Sequence, residues 1–178
     1  IGFWFPTISV EDMVNAQVSL FERMGWPTPR MVCGGSMGGM QALEWARRNL
    51  CAKAWLTASA GQHDAMQIGF NEAMRQAIIA DPKWNGGDFS PSDPPSGGLA
   101  VARMIGHLSY LSFEAFQSKF GRRTQDGHPD VFQVESYLRY QGSKFTSRFD
   151  AGSLVSLTQA IDRYSCESLE GCRTPLLL

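Results

Sequence analysis

A serine flanked by glycines is the feature of this sequence with the clearest chemical potential. Residues 31–48 read MVCGGSMGGMQALEWARR, so Ser36 has Gly34 and Gly38 two residues away on either side. This spacing matches G-x-S-x-G, the nucleophile elbow, in which a strand turns sharply into a helix and presents a serine hydroxyl. Because the turn strains the backbone at the serine, the two glycines should remove side chains that would collide with the strand and the helix.

The position of Ser36 also predicts how negative charge on a reacting carbonyl would be stabilised. A helical pattern begins directly after the serine, and free N–H groups at a helix N-terminus favour an anion. We therefore assign Ser36 as the candidate nucleophile and the backbone N–H of Met37 as one oxyanion-hole donor. The alternative is a tight glycine-rich turn in which Ser36 only caps the helix. A phosphate-binding loop fits less well, because no Gly-Lys-Ser/Thr follows.

The segments that surround this turn alternate between helix and strand patterns. Ser9 opens a helix with a capping-box start, and Gly25 should end it. Residues 52–60, AKAWLTASA, predict a second buried strand, and Cys33 in the first strand is expected to be a buried, small apolar residue. This alternation predicts an α/β fold with a parallel sheet covered by helices.

Helical patterns dominate after Gly61, and no convincing strand appears again until residues 173–178, RTPLLL. The pattern predicts helices over 64–80, 99–110, 112–121, 131–142 and 153–164, separated by polar loops at 84–98 and 122–130. Gly142 is expected to end its helix, and Leu108 to face inward together with Leu99, Ala102 and Ile105.

These patterns predict three segments. Residues 1–62 would form the core with the nucleophile elbow, residues 63–171 an inserted all-helical lid, and residues 172–178 the start of a returning core strand. A strand that starts in the last residues, and a first residue that is not Met, lead us to expect an internal piece of a longer chain.

Composition places the chain among globular proteins, since 43% of its residues are hydrophobic and 19% are charged. The net charge of −1, without a basic face, argues against a nucleic acid partner. The sequence shows neither a membrane span nor a signal peptide, so we expect a cytoplasmic protein without a membrane partner. The spacing of the four cysteines fits no zinc site, and we expect no metal.

Longer stretches of the sequence resemble one enzyme family, the homoserine O-acyltransferases, which have the α/β-hydrolase fold. The string GGSMGGMQALEWA at 34–46 is similar to the elbow of that family. Stretches that match the family in the same order are DMVNAQ at 12–17, IGFNE at 68–72, ARMIGH at 102–107 and VESYLRYQG at 134–142. The resemblance spans nearly the whole chain and implies an α/β-hydrolase fold, with a partial parallel sheet as its core and an inserted helical lid.

The resemblance also implies a two-step acyl transfer that belongs to methionine biosynthesis. Ser36 would attack the thioester of acetyl-CoA, release CoA and hold the acetyl group until the hydroxyl of L-homoserine takes it. Arg103 would bind the carboxylate of homoserine, and Tyr110, two turns further on, would face the same pocket. The alternative for Arg103 is an ordinary surface arginine. The family also implies a homodimer formed through the helical lid and no bound cofactor besides the acyl-CoA substrate.

The family's catalytic Asp and His would lie beyond Pro175, outside this chain. We therefore expect negligible turnover from the 178 residues alone. For His63, His107 and His128 we expect packing, capping or solvated roles. Several alternatives stay open: succinyl-CoA as the donor, serine as the acceptor, a serine esterase or lipase of the same fold, and a non-catalytic relative.

Overall fold

The structure, a computed structural model, describes residues 5–178, so residues 1–4 of the predicted core segment lie outside the described residues. The elements in chain order are α1 (Val10–Arg23), β1 (Val32–Gly35), α2 (Met37–Arg47), β2 (Ala54–Thr57), α3 (Ala65–Ile79), a 3₁₀ helix (Pro82–Gly87), α4 (Ser96–Ser109), α5 (Phe113–Lys119), β3 (Thr124–Gln125), β4 (His128–Phe132), α6 (Gln133–Thr146), α7 (Ala151–Arg163) and β5 (Leu176–Leu177).

These elements form two compact units. The sheet unit comprises residues 6–65 and 159–178, and the helical unit comprises residues 66–158 together with Phe5. The boundary between them falls within α7. Among residues 5–178, no helix combines the length and the apolar character needed to cross a membrane. The division predicted from the sequence, at 62/63 and 171/172, stays a prediction.

Three parallel strands form the sheet of the sheet unit, in the order β1-β2-β5. Val32, Ala54 and Leu176 are aligned across the three strands. They pack with Leu56 into a core to which α1 and α2 contribute Val14, Ala42, Leu43, Trp45 and Ala46. The predicted parallel α/β arrangement is therefore confirmed, and so is the returning strand near the end of the chain.

The opposite face of this sheet is apolar but exposed. Cys33, Trp55 and Leu177 are aligned on it, and the side chains of Trp55 and Leu177 are 47% and 58% exposed. The prediction that Cys33 is buried is wrong. Side chains alternate between the two faces of a strand, and Cys33 lies on the face opposite the core formed with α1 and α2.

Helix α1 begins and ends as its sequence predicts, and it is tied to α2 by side-chain hydrogen bonds. Ser9 and Asp12 form the capping box, and Gly25 follows the helix with a φ of +63°. The Trp45 Nε1–H group donates to Gln17 Oε1 at 2.7 Å. Local signals therefore set the limits of α1, and these bonds add to its packing against α2.

Glu44 of α2 is the most notable buried charge in the sheet unit. Its side chain is 1% exposed and accepts hydrogen bonds from the guanidinium groups of Arg47, at 2.7 Å, and Arg48, at 2.5 Å. Burial alone would raise the pKa of Glu44, but the two guanidinium groups outweigh burial and hold this pKa below its ordinary value. Arg48 also donates to Asn15 Oδ1 at 2.6 Å, so the cluster connects α2 with α1.

Replacing Glu44 with Gln should lower the free energy of unfolding by about 1–3 kcal/mol at pH 7, because two arginines lose their anionic partner. The folded-state pKa lies below the unfolded-state pKa, so this contribution is complete above about pH 4.5 and is lost as the pH falls through the folded-state pKa. Urea unfolding of the unaltered protein and of Glu44→Gln, measured between pH 3.5 and pH 7, checks this pH dependence. The exposed Glu22 provides the control, Glu22→Gln. A stability difference that is the same at every pH would contradict the prediction.

In the helical unit, α4 and α6 pack closely around Leu99, Ala102 and Phe145. A Cβ atom on Gly142 would come within 2.8 Å of the carbonyl oxygen of Ala100. The prediction that Gly142 ends its helix is wrong, since α6 continues to Thr146. Gly142 lets the backbones of α4 and α6 approach each other closely, and it does not form a turn.

Three further expectations for the helical unit need correction. The loop predicted at 84–98 is shorter, because the 3₁₀ helix covers its start and α4 begins at Ser96. The loop predicted at 122–130 includes the antiparallel hairpin β3–β4, whose turn contains Gly127 at a φ of +74°. Leu108 does not face inward, since its side chain is 48% exposed. The segment predicted as an all-helical lid thus contains one short hairpin.

Candidate functional site

Ser36 lies at the turn between β1 and α2 in a strained conformation, with φ +52° and ψ −124°. Residues other than glycine rarely adopt positive φ, so the surrounding structure must hold this residue in place. Its N–H group donates to the carbonyl of Thr57 at 3.1 Å. Its own carbonyl accepts from the N–H groups of Gly39 and Met40, at 2.8 and 3.2 Å, and from the Ser59 hydroxyl at 2.8 Å. The backbone of the serine is therefore fixed from both sides.

Glycines permit this turn because backbone segments approach each other very closely. A Cβ atom on Gly34 would lie 1.9 Å from the carbonyl oxygen of Gly38, and one on Gly39 would lie 2.4 Å from the Cβ of Ser59. At Gly38, a Cβ would meet no described atom within 4 Å apart from its chain neighbours and the nearby backbone of α2. The predicted collision on the helix side thus occurs at Gly39, since that residue rather than Gly38 faces the segment after β2.

The side chain of Ser36 is exposed, and its hydroxyl makes no hydrogen bond to any residue within 5–178. The serine is the N-cap of α2, so the N–H of Met37 lies in the first turn, where N–H groups lack an intrahelical acceptor. This arrangement has the geometry that a nucleophile with an adjacent oxyanion donor requires. The catalytic roles of both residues stay predictions.

A histidine and an aspartate meet in the sheet unit, and sequence reasoning missed this pair. His63 Nδ1 lies 3.0 Å from Asp162 Oδ1, across a separation of 99 residues. A carboxylate that holds an imidazole is part of a serine–histidine–aspartate triad. Within residues 5–178, however, the Ser36 hydroxyl has no hydrogen bond to this imidazole or to any other, so no triad is assembled there.

In the helical unit, Arg103 and Tyr110 lie close together, and their role in substrate binding stays a prediction. Arg103 Nη1 donates to the Tyr110 hydroxyl at 3.2 Å. The guanidinium group lies over two rings, 4.6 Å from the centroid of Phe145 and 5.5 Å from that of Tyr110. No carboxylate within the described part of the chain forms an ion pair with Arg103. Its charge is therefore available to an anionic ligand.

His107 lies next to this arginine and is held between two tyrosines. Its Nδ1 atom is 2.9 Å from the Tyr137 hydroxyl, while its Nε2 atom is buried without a hydrogen-bond partner among residues 5–178. Burial lowers the pKa of His107, and the positive charges of Arg103 and Lys119 lower it further. His107 is therefore neutral at pH 7. His128, by contrast, is exposed in β4.

The helical unit also contains a cavity of about 510 Å³. Its lining combines apolar residues such as Phe89, Leu99 and Phe149 with the carboxylates of Asp88 and Asp150. Asp150 accepts from the N–H of Ser153 at 2.7 Å, in the first turn of α7. No group of three or more His, Cys, Asp or Glu residues within 5–178 could hold a metal ion.

Comparisons with known proteins agree on the fold. The homoserine O-acetyltransferase of Solidesulfovibrio magneticus is 51% identical to this chain over 181 residues, which cover 96% of the chain and 45% of that enzyme. The crystal structure of esterase E22 superposes with a TM-score of 0.83 at 27% identity, covering 96% of this chain and 50% of that one. The structure of homoserine O-acetyltransferase from Bacillus anthracis also superposes with a TM-score of 0.83, at 21% identity. The match covers 94% of this chain and 48% of that one.

The chain thus spans no more than half the length of each of these proteins. The family model for the alpha/beta hydrolase fold matches residues 4–164, a range that includes β1, the turn at Ser36 and β2. The parallel sheet, the strained serine at the strand-to-helix turn and this match lead to one conclusion: the chain belongs to the alpha/beta-hydrolase family.

Proposed function

We propose that the protein carrying this chain transfers an acetyl group from acetyl-CoA to the side-chain hydroxyl of L-homoserine. The observation that carries this proposal is the Ser36 turn, where a strained serine presents, beside a helix N-terminus, a hydroxyl without a hydrogen-bond partner among residues 5–178. The similarity to a homoserine O-acetyltransferase, 51% identical over 96% of the chain, supports the choice of donor and acceptor.

The proposed reaction has two steps. Ser36 Oγ attacks the thioester carbonyl while a base takes the hydroxyl proton, the C–S bond breaks, and CoA leaves as the protonated thiol. The homoserine hydroxyl then attacks the acetyl-serine ester, its proton passes through the base to Ser36 Oγ, and O-acetylhomoserine leaves. The N–H of Met37 stabilises the oxyanion in both steps. The base is proposed to be a histidine outside residues 5–178, because the Ser36 hydroxyl bonds to none of the described histidines.

Arg103 is proposed to bind the carboxylate of homoserine. Its guanidinium group has no anionic partner among the described residues, and it lies over the rings of Phe145 and Tyr110. Aromatic surfaces keep water away and leave the planar edge of the guanidinium free for a bidentate contact. The Tyr110 hydroxyl, 3.2 Å from Arg103 Nη1, restricts the orientation of that edge.

In the complete natural protein, Arg103→Ala should lower kcat/KM for homoserine on the order of 100-fold, because the carboxylate loses its charged partner. CoA release from acetyl-CoA without homoserine should stay within about twofold, since that step does not involve the acceptor. Stopped-flow detection of the CoA thiol measures both quantities. Arg139→Ala is the control, because Arg139 is exposed and paired with Glu135. An equal loss in both reactions would contradict the proposed role.

A second candidate is an ester hydrolase, and the specific observation in its favour is the similarity to esterase E22. Such an enzyme would pass the acyl group to water and would have no use for a carboxylate-binding arginine. Mass spectrometry of the products from acetyl-CoA with homoserine distinguishes the two, since transfer gives O-acetylhomoserine and hydrolysis gives acetate. Parallel reactions with succinyl-CoA and with serine test the other donor and the other acceptor.

The homodimer through the helical unit and the cytoplasmic location are part of the same proposal. Apolar side chains on α4, α5 and α6 are well exposed, among them Leu108 at 48%, Phe113 at 73% and Tyr140 at 58%. A second copy of the protein would cover such residues.

A further inference from the structure

We infer that His107 is a positioning residue, which holds Tyr110 and thereby orients the Arg103 guanidinium for the carboxylate of the acceptor. The identity of that ligand rests on the proposed function. The geometry that carries the inference lies entirely within the helical unit.

A continuous series of contacts connects α6 with Arg103. The Tyr137 hydroxyl of α6 is hydrogen-bonded to His107 Nδ1 at 2.9 Å, and the two rings meet edge to face with centroids 5.5 Å apart. The imidazole meets the ring of Tyr110 in the same manner, at 5.3 Å. Tyr110 in turn accepts the hydrogen bond of Arg103 at 3.2 Å. Among residues 5–178, His107 thus joins Tyr137 to Tyr110, while Phe145 of α6 contacts the Arg103 guanidinium directly.

Tyr110 needs such support. It is the C-cap residue of α4, and its side chain is 59% exposed. Its ring lies back along the helix, where a Cβ atom on Gly106 would come within 3.2 Å of the hydroxyl oxygen. Fixing an exposed side chain costs conformational entropy, which offsets part of the free energy that one hydrogen bond contributes. The His107 ring supplies a second constraint, and the glycine leaves room for this orientation.

The groups around His107 require its neutral form. Arg103 faces it from α4, Tyr110 from the end of α4, Lys119 from α5 and Tyr137 from α6. Lys119 itself lies 4.4 Å from the centroid of the Tyr137 ring. Proton uptake would place a third positive charge beside two cations, and both ring N–H groups would then need acceptors, although Nε2 has none among residues 5–178. As the pH falls below 6.5 toward the lowered pKa of His107, the ring should lose its position and the acceptor should bind less tightly.

The test uses the complete natural protein with acetyl-CoA and L-homoserine. His107→Ala removes the whole support, so we expect KM for homoserine to rise about tenfold while kcat and CoA release without homoserine stay within about twofold. His107→Phe keeps the ring between the two tyrosines and should restore KM to within about threefold. The exposed His128 provides the control, His128→Ala, which should change neither constant.

A pH series separates positioning from a purely structural role. Between pH 7.5 and pH 5.5, the KM of the unaltered protein should rise relative to that of His107→Phe, which cannot take up the proton. This comparison decides the inference even where His107→Ala does not fold. A KM within twofold of normal in a folded His107→Ala protein, or the same pH dependence in the unaltered protein and His107→Phe, would overturn it.

One result would separate this inference from the proposed function. If the unaltered protein does not use homoserine at all, the proposed function fails, and exchange of the Arg103 Nε–H proton measured by NMR then decides the positioning role. Faster exchange in His107→Ala than in the unaltered protein would support the inference, and equal exchange would overturn it.

Discussion

Replacing Ser36 with alanine should reduce CoA release from acetyl-CoA by at least about 10⁴-fold in the complete natural protein. The change removes the oxygen that would form the acetyl ester, but it leaves the hydrogen bonds of the Ser36 backbone in place. Activity that remains would come from substrate binding and the oxyanion donor alone. Thiol detection measures the rate, and mass spectrometry of peptides should show the acetyl group on Ser36 only in the unaltered protein.

Two other serines provide graded controls for this variant. Ser19→Ala in α1 should have no effect, because this side chain is exposed. Ser59→Ala removes one hydrogen bond to the Ser36 carbonyl, which costs about 1 kcal/mol and should reduce the rate less than tenfold. Turnover that persists in Ser36→Ala would show that another group carries the acyl chemistry, and the proposed mechanism would have to be abandoned.

Replacing Gly34 with alanine should open the turn and lower the free energy of unfolding by at least about 2 kcal/mol. The new methyl group would lie 1.9 Å from the Gly38 carbonyl oxygen and 2.7 Å from the N atom of Gly39. Both obstacles belong to the backbone, so they cannot move aside as a flexible side chain would. The first turn of α2 would have to shift, and Ser36 would lose the orientation set by β1 and Thr57. Urea unfolding and CoA release should therefore both decline.

Gly38→Ala is the matched control, since it makes the same chemical change four residues away in the same motif. Apart from its chain neighbours and the nearby backbone of α2, no described atom lies within 4 Å of its Cβ position, and the residue is helical. Alanine favours a helix over glycine by roughly 0.5–1 kcal/mol, so stability should be equal or slightly higher. If both variants lose the same stability, close backbone contact does not explain why Gly34 is a glycine.

The features that could be predicted from the sequence are those whose causes lie within a few residues. The turn at Ser36 depends on glycines two and three positions away, and the start of α1 depends on the bonds between Ser9 and Asp12. The parallel arrangement of β1 and β2 also follows, because one helix separates two short apolar runs.

What could not be predicted depends on partners that are distant in sequence. The contact of His63 with Asp162 forms only when residues 99 apart come together. In the sequence, Gly142 looks like the end of a helix. A glycine is needed there because the carbonyl of Ala100, on another helix, leaves no room for a side chain. The exposure of Cys33 and Leu108 likewise depends on which face of the strand or helix packs against another element. Since both faces carry apolar residues, the sequence does not show which face is buried.

The apolar sheet face around Cys33 and Trp55 also gives the chain an internal optical probe. These two residues are aligned on neighbouring strands, roughly 4.8 Å apart along the hydrogen-bonding direction. Cys33 is exposed, whereas burial raises the pKa of the Cys51 and Cys166 thiols and so lowers their reactivity. The fourth cysteine, Cys172, is only partly exposed, and its thiol donates to the carbonyl of Ala46 at 3.3 Å. A maleimide dye should therefore attach first at Cys33, where it would quench the fluorescence of the adjacent indole. The rate of labelling, and of the fall in tryptophan emission that accompanies it, would report when another surface covers this face.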